Sequence, residues 1–108
     1  MIFHITEREA WKTAQTQGSY RAPSLASEGF IHFSKSDQVI DTANRFYKGQ
    51  SGLVLLQIDP QRLEADLRYE AVLGHGTFPH LYGPLNLEAV TTVWPFEPSA
   101  SGEFTMPM

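Results

Sequence analysis

The order of apolar patterns along the chain predicts a single α+β domain over residues 1–96. Strand-length apolar runs alternate with two amphipathic helical patterns in the first half, and mainly strand patterns follow in the second half. A chain of 108 residues, 42% of them hydrophobic, has enough apolar material for one core. From residue 95 onward Pro, Ser and Gly are frequent, which predicts a flexible C-terminal tail over residues 97–108.

The first strand and first helix are expected at the start of the chain. Residues 2–5 form a short apolar run, and Thr6 followed by Glu9 matches a capping box, which predicts a helix through about Gln17. Gly18 stands where helices commonly end in the left-handed conformation. Residues 19–27 contain three serines and one proline and are expected to form an ordered loop.

A second strand and a second helix are expected next. Residues 30–33 indicate the strand, and Ser34 or Ser36 can cap a helix whose apolar residues recur at helical spacing until Gly49. Residues 53–58 are almost continuously apolar, as in a central strand that is buried on both faces. After a short helical turn at 61–64, alternation predicts strands at 67–73 and 89–94.

Four histidines are the first candidates for a site. His4 alternates with apolar neighbours, so it faces a cleft or water if they face the core. His32 lies in a strand that is apolar on both faces, so its ring should be buried, and Ser34 on the same face is a candidate partner. His80 lies in the Pro- and Gly-containing segment 78–84, which suits a binding loop or a structural corner. His75, between two glycines, is expected to be exposed.

Aromatic and acidic residues extend the candidate site. Several aromatics, Tyr47 and Tyr82 among them, lie near the ends of predicted elements, where they either fill the core or stack on a planar ligand. Gly83 belongs to the same rigid segment as His80. Glu70 is a candidate general acid or base, although the alternation of its strand also fits an outward-facing residue.

Composition and missing motifs exclude several classes of protein. The chain has no cysteine, no His-Glu-x-x-His, no Gly-x-Ser-x-Gly and no phosphate-binding glycine loop, so we expect no metal site. A net charge of −4 argues against general nucleic-acid binding and leaves nucleic acid only as a specific substrate. No segment has the pattern of a signal peptide or a membrane span, so a cytoplasmic location without membrane contact is expected.

Several ordered motifs resemble the small bacterial proteins of the domain of unknown function 952 (DUF952) family. The resemblance covers residues 2–95, nearly the whole chain. It is carried by Phe3-His4-Ile5, the spacing from Trp11 to Gly18-x-Tyr20, Gly29-Phe30-Ile31-His32-x-Ser34, Ala43-Asn44-Arg45-Phe46-Tyr47, Leu53-Val54-Leu55-Leu56-x-Ile58-Asp59, Tyr69-Glu70 and Phe78-Pro79-His80-Leu81-Tyr82-Gly83-Pro84-Leu85.

The resemblance implies an ADP-ribosyltransferase-like fold, in which a split, mainly antiparallel sheet and two main helices hold NAD in a cleft. By its position in the first strand, His4 looks like the residue that binds the nicotinamide or ribose side of NAD. The segment around His32 is similar to that of the RNA 2′-phosphotransferase branch, which uses NAD as a substrate. The late glutamate of many ADP-ribosyltransferases has positional candidates in Glu70 and Glu88.

Together these observations predict a nucleotide or NAD-like ligand in a histidine-lined cleft. For an enzyme, an NAD-dependent ADP-ribosyl or RNA 2′-phosphate transferase, the expected catalytic residues are His4, His32 and Glu70. The expected ligand-binding residues are Ser34, Tyr47, His80, Tyr82 and Gly83. The alternative is a non-catalytic small-ligand binding or interaction module, since fold alone does not fix function. The oligomeric state is left open.

Overall fold

The computed structural model describes residues 1–108 as a mixed α/β fold with antiparallel sheets and three α-helices. The helices are α1 (Arg8–Gln17), α2 (Pro23–Glu28) and α3 (Val39–Phe46), and 3₁₀ turns lie at Pro60–Arg62 and Leu87–Ala89. The strands are β1 (Ile2–Glu7), β2 (Ser19–Tyr20), β3 (Ile31–His32), β4 (Ser34–Lys35), β5 (Leu53–Ile58), β6 (Asp66–Val72), β7 (Gly76–Tyr82), β8 (Leu85–Asn86) and β9 (Val90–Phe96).

The strands form three sheets, and every pairing is antiparallel. A four-stranded sheet has the order β4-β1-β5-β9, a three-stranded sheet has the order β3-β7-β6, and β2 pairs with β8. The adjacent strands β3 and β4 therefore belong to different sheets. The chain crosses from the three-stranded to the four-stranded sheet at Phe33, which is buried.

Helix α1 ends where the sequence predicts and begins without the predicted cap. Gly18 has φ 90°, and its N–H donates to the Ala14 carbonyl, which closes the helix. The N-cap position is held by Glu7, whose side chain makes no capping bond. The capping-box prediction for Thr6 was wrong because Thr6 lies in β1, with its hydroxyl 2.9 Å from Tyr20 Oη.

Residues 19–27, predicted to be a loop, contain strand β2 and all but the last residue of helix α2. Pro23 opens α2, and Gly29 with φ 91° ends it by donating its N–H to the carbonyls of Ser24 and Leu25. None of the residues of α2 is buried, so the helix has no apolar stripe for a periodicity analysis to detect. Its only sequence signal is the proline at its start and the glycine at its end.

Helix α3 confirms the second predicted helix, but with different ends. The helix begins at Val39, after Gln38 at the N-cap, and its last residue, Phe46, precedes the predicted end at Gly49. Ser34 is not a cap. It lies in β4 and pairs with Phe3 of β1, because the predicted strand at 30–33 ends after two residues and a new strand follows.

Strand β5 is the central buried strand that the sequence predicts, with β1 on one side and β9 on the other. Leu56 faces one core cluster and Leu55 faces the other, since alternate side chains point to opposite faces. The larger cluster includes Trp11, Tyr20, Ile31, Val54, Leu56, Ile58, Leu81 and Leu85. The smaller cluster comprises Phe3, Ile5, Val39, Ala43, Leu53, Leu55, Phe96 and Phe104.

The second half of the chain contains one strand, β7, that the sequence does not predict. Strand β7 runs from Gly76 to Tyr82 through the segment that was assigned to loops, and it pairs with β6 over its whole length. Pro79 lies in this central strand of the three-stranded sheet, and its carbonyl accepts a hydrogen bond from Phe33 N–H at 3.0 Å. No helix has the combination of length and apolar character that would let it cross a membrane.

Candidate functional site

One cavity of about 790 Å³ lies between strand β1, helices α2 and α3 and the three-stranded sheet. Half of its 24 lining residues are hydrophobic. The side chains on its wall that can donate or accept hydrogen bonds include His4, Glu7, Tyr20, Glu28, His32, Ser34, Arg45, Tyr47 and His80. A concave, largely apolar site with a few converging polar groups is the usual form of a small-molecule site.

His4 lines this cavity but has both ring nitrogens engaged. Its neighbours Phe3 and Ile5 point into the smaller core cluster, so the alternation of β1 turns His4 to the opposite face. Its Nδ1 donates to the His32 carbonyl oxygen at 2.6 Å, and its Nε2 lies 2.8 Å from Tyr20 Oη. Because a carbonyl only accepts, Nδ1 carries the proton and Nε2 accepts from the Tyr20 hydroxyl.

Burial determines the charge states of His4 and Tyr20. Desolvation is the largest effect and lowers the pKa of His4 from 6.5 to about 4, against the opposing effect of the hydrogen bond to His32. Burial likewise raises the pKa of Tyr20 to about 12. At neutral pH both side chains are therefore uncharged. His4 links strand β1 to strand β3 of the three-stranded sheet, and Tyr20 links β1 to β2.

His80 is held by two side chains that the β6–β7 pairing brings beside it. Glu70 Oε1 accepts from His80 Nδ1 at 2.8 Å and from the Tyr82 hydroxyl at 2.5 Å. The Tyr82 bond, followed by the His80 bond, lowers the pKa of Glu70, and the bond to Glu70 raises the pKa of Tyr82. Glu70 is therefore a carboxylate at neutral pH, and it orients the imidazole ring.

The other side of the His80 ring is buried without a polar partner. His80 is 5% exposed, and its Nε2 makes no hydrogen bond. The Phe30 ring stacks on the imidazole at a centroid distance of 4.2 Å and an interplanar angle of 23°. The His32 ring meets it edge-on at 5.4 Å. A buried nitrogen without a partner costs free energy unless a ligand or water supplies one.

His32 is more exposed than the sequence predicts. Its side chain is 52% exposed, and its Nε2 lies 3.1 Å from Glu28 Oε2 at the end of α2. The expectation of a buried ring supported by Ser34 was wrong because the strand ends after His32. The Ser34 hydroxyl instead contacts Thr42 Oγ1 of α3 at 3.5 Å.

The structure brings five of the predicted site residues to the cavity wall: His4, His32, Ser34, Tyr47 and His80. Burial, with the charge of Glu7 as a smaller cause, raises the pKa of Tyr47. Glu70 and Tyr82 are not on the wall and reach it only through His80. Gly83 is also absent from the wall, and a Cβ there would approach Ala65 Cβ to 2.7 Å, which explains this glycine by packing.

Two charged residues on the cavity wall, Arg45 and Glu28, were not among the predicted site residues. Arg45 is the only lysine or arginine among the lining residues, and its Nη1 donates to His75 Nδ1 at 2.8 Å. Glu28 pairs with His32, and its only sequence signal is a spacing of four residues from that histidine. The fourth histidine, His75, is exposed and lies outside the cavity. No group of three or more His, Asp or Glu side chains is arranged to hold a metal ion.

The whole fold is similar to solved structures of one bacterial protein. The crystal structure of protein CC0527 from Caulobacter crescentus matches with a TM-score of 0.89 at 36% sequence identity, covering 96% of this chain and 92% of that chain. The solution NMR structure of CC0527 gives a TM-score of 0.83 at 37% identity, covering 94% and 89%. No curated protein matches the chain significantly.

A family profile matches the chain as well. The family is described as protein of unknown function (DUF952), and its profile matches residues 5–93. The match runs from strand β1 into strand β9, so it includes His32, Glu70 and His80, and it begins one residue after His4. Because it spans most of the sequence, the resemblance inferred from the motifs is confirmed, and the chain belongs to the DUF952 family.

Proposed function

We propose that this chain binds a nucleotide or NAD-like ligand in the histidine-lined cavity, within a fold related to that of ADP-ribosyltransferases. The observation that carries the proposal is His80, a buried imidazole on the cavity wall with an unpartnered Nε2. Such a nitrogen can bind a ligand once the rings that cover it move, and its orientation is fixed in advance by Glu70.

The size and chemistry of the cavity support a ligand of this class. Its volume of about 790 Å³ lies within the range of roughly 300–1,000 Å³ that is usual for small-molecule and cofactor sites. Aromatic side chains such as Phe30 and Tyr47 line it and offer surfaces for a planar base. Arg45 supplies one positive charge for a phosphate group.

A second candidate is catalysis, as an NAD-dependent transferase of ADP-ribosyl or RNA 2′-phosphate groups. The pairing of Glu70 with His80 favours it, because a carboxylate-oriented imidazole is a common general base. The placement of Glu70 behind His80 favours the alternative of a non-catalytic binding module, because this carboxylate does not face the cavity. We therefore rank binding before transfer.

The test is the thermal midpoint of unfolding with NAD, ADP-ribose, nicotinamide, AMP and inorganic phosphate. A ligand that binds only the folded state raises the midpoint by mass action, and 100 times its Kd adds about 2.7 kcal/mol of stability. We expect a rise with NAD or ADP-ribose that is lost in His80→Phe and Arg45→Gln and retained in the surface control Thr13→Ala, which lies on the outer face of α1.

The outcomes separate the candidates. No rise with any compound at millimolar concentration contradicts the nucleotide proposal. A rise without nicotinamide release from NAD supports the binding module, whereas release that requires His80 supports the transferase.

A further inference from the structure

The unpartnered nitrogen of His80 has a defined chemical character. Nδ1 points to Glu70 Oε1 at 2.8 Å, and the same oxygen receives the Tyr82 hydroxyl. A carboxylate only accepts hydrogen bonds, so Nδ1 carries a proton. In a neutral imidazole the other nitrogen then has a lone pair and no hydrogen. In that neutral form His80 Nε2 is an acceptor that lacks a donor.

We propose that His80 Nε2 is a subsite for a hydrogen-bond donor, such as a hydroxyl or amide N–H group of the bound molecule. Glu70 and Tyr82 act as positioning residues, because they hold the proton on Nδ1 without touching the ligand. A bare anion such as phosphate would meet a lone pair at this point, so it is excluded from Nε2 and belongs at Arg45.

Access to this subsite requires a small movement of the rings around it. Nε2 exposes less than 1 Å² of surface, and the Phe30 and His32 rings lie against the imidazole. The His32 side chain is half exposed, and its one side-chain hydrogen bond goes to Glu28, which is also half exposed. Exposed bonds of this kind contribute little stability, so His32 is the covering group that a ligand displaces at least cost.

A donor subsite at His80 and a phosphate subsite at Arg45 fix the orientation of a bound nucleotide. This orientation rests on the proposed function. The sugar hydroxyls or the carboxamide of a nucleotide would face His80, and a phosphate would face Arg45. Both residues lie on the wall of the same cavity. The chemistry of the donor subsite itself does not depend on which nucleotide binds.

The experiment is nitrogen NMR of the full chain labelled with ¹⁵N-histidine, with small probes in place of a nucleotide. The probes are phenol, which carries a donor and a planar ring, toluene, which has the ring without a donor, and inorganic phosphate. His80→Gln identifies the His80 signals. We expect an unprotonated Nε2 in the free protein, a change of its signal with phenol, and no such change with toluene or phosphate.

A variant of the positioning residue Glu70 provides a second test of the donor subsite. In Glu70→Ala the Nδ1 proton loses its acceptor, so we expect part of the population to carry the proton on Nε2 and phenol binding to weaken about fivefold, the value of one ordinary hydrogen bond. A merely structural role of Glu70 would leave the site of the proton unchanged. If Glu70→Ala does not fold, the responses of the unaltered chain to phenol, toluene and phosphate still test the donor subsite.

Each outcome has one meaning. A proton on Nε2 of the free protein, or equal responses to phenol and toluene, overturns the donor subsite even if nucleotides raise the thermal midpoint. A phenol-specific response without any nucleotide effect keeps the donor subsite and overturns the nucleotide proposal instead.

Discussion

At the scale of single residues, the two buried histidines differ in the hydrogen bonds that their ring nitrogens make. His4 has a partner for each nitrogen and joins strand β1 to strand β3, so its role is to hold two sheets together. His80 has a partner for one nitrogen and presents the other without one. The first is a satisfied structural histidine, and the second is the unsatisfied histidine on which the proposed ligand site rests.

The state of His4 predicts a pH dependence of stability. Its pKa falls from 6.5 in the unfolded chain to about 4 in the folded protein, so the unfolded chain binds more protons between these values. The contribution is fully present above pH 6.5 and is lost as pH falls through about 4. At about 1.4 kcal/mol for each pKa unit, the loss is about 3 kcal/mol.

Removing the titrating group should remove that dependence. In His4→Gln, whose amide can still donate to the His32 carbonyl, we expect the free energy of unfolding to change less between pH 6.5 and 4 than in the unaltered chain. Urea unfolding at a series of pH values measures it. Tyr20→Phe is the matched control, since it removes one partner but keeps the imidazole. If the free energy of unfolding depends on pH equally in His4→Gln and in the unaltered chain, the pH dependence does not come from His4.

At the scale of elements, the C-terminal segment behaves as part of the core. The sequence predicts a flexible tail over residues 97–108, whereas Phe104 is 2% exposed and stacks on Phe96 at 4.6 Å. Asn44 of α3 accepts from Phe104 N–H at 2.7 Å, and Gly49 N–H donates to the Gly102 carbonyl at 2.8 Å. The segment thus covers the smaller core cluster beside α3.

Truncating this anchor should destabilise the whole chain. Phe104→Ala removes a buried ring, and we expect the free energy of unfolding to fall by about 3–5 kcal/mol, as for other buried phenylalanines. Met108→Ala is the control, because Met108 is 67% exposed and should change stability little. Chemical denaturation of both variants measures the difference. Equal stability of the two would mean that the segment is dispensable.

At the scale of the whole molecule, strand β5 separates two core clusters and supports both. Leu55 and Leu56 are each fully buried, but they belong to different clusters. The candidate site lies where the four-stranded and three-stranded sheets meet, with His4 on one and His80 on the other. Its geometry therefore depends on both clusters being formed.

This arrangement predicts one cooperative unfolding transition. Leu55→Ala and Leu56→Ala should each lower the free energy of unfolding by about 2–5 kcal/mol, the usual range for a buried leucine. Val93→Ala on the neighbouring β9 is the control, because Val93 is 38% exposed and should cost much less. Far-ultraviolet circular dichroism and tryptophan fluorescence should give coincident curves. Two separate transitions would show that the clusters fold independently.

The features that depend on neighbours along the chain could be predicted from the sequence. The alternation in β1 and β6, the apolar run of β5, the periodicity of α3 and the left-handed Gly18 are all local patterns, and each appears where predicted or within a few residues. The family also follows from ordered local motifs, and the profile match confirms it. Histidines and aromatics could be named as site candidates because a polar ring among apolar neighbours is already unusual in the sequence.

Which side chains meet depends on how the sheets come together, and the sequence does not predict it. Thr6 became a partner of Tyr20 and not a helix cap, and Ser34 became a strand residue that contacts Thr42. The contrast between His4 and His80 likewise depends on residues that lie far away in the sequence. A hydrogen bond depends on the distance between two groups in space, and the spacing of residues along the chain does not give that distance. The sequence therefore does not distinguish the satisfied histidine from the unsatisfied one.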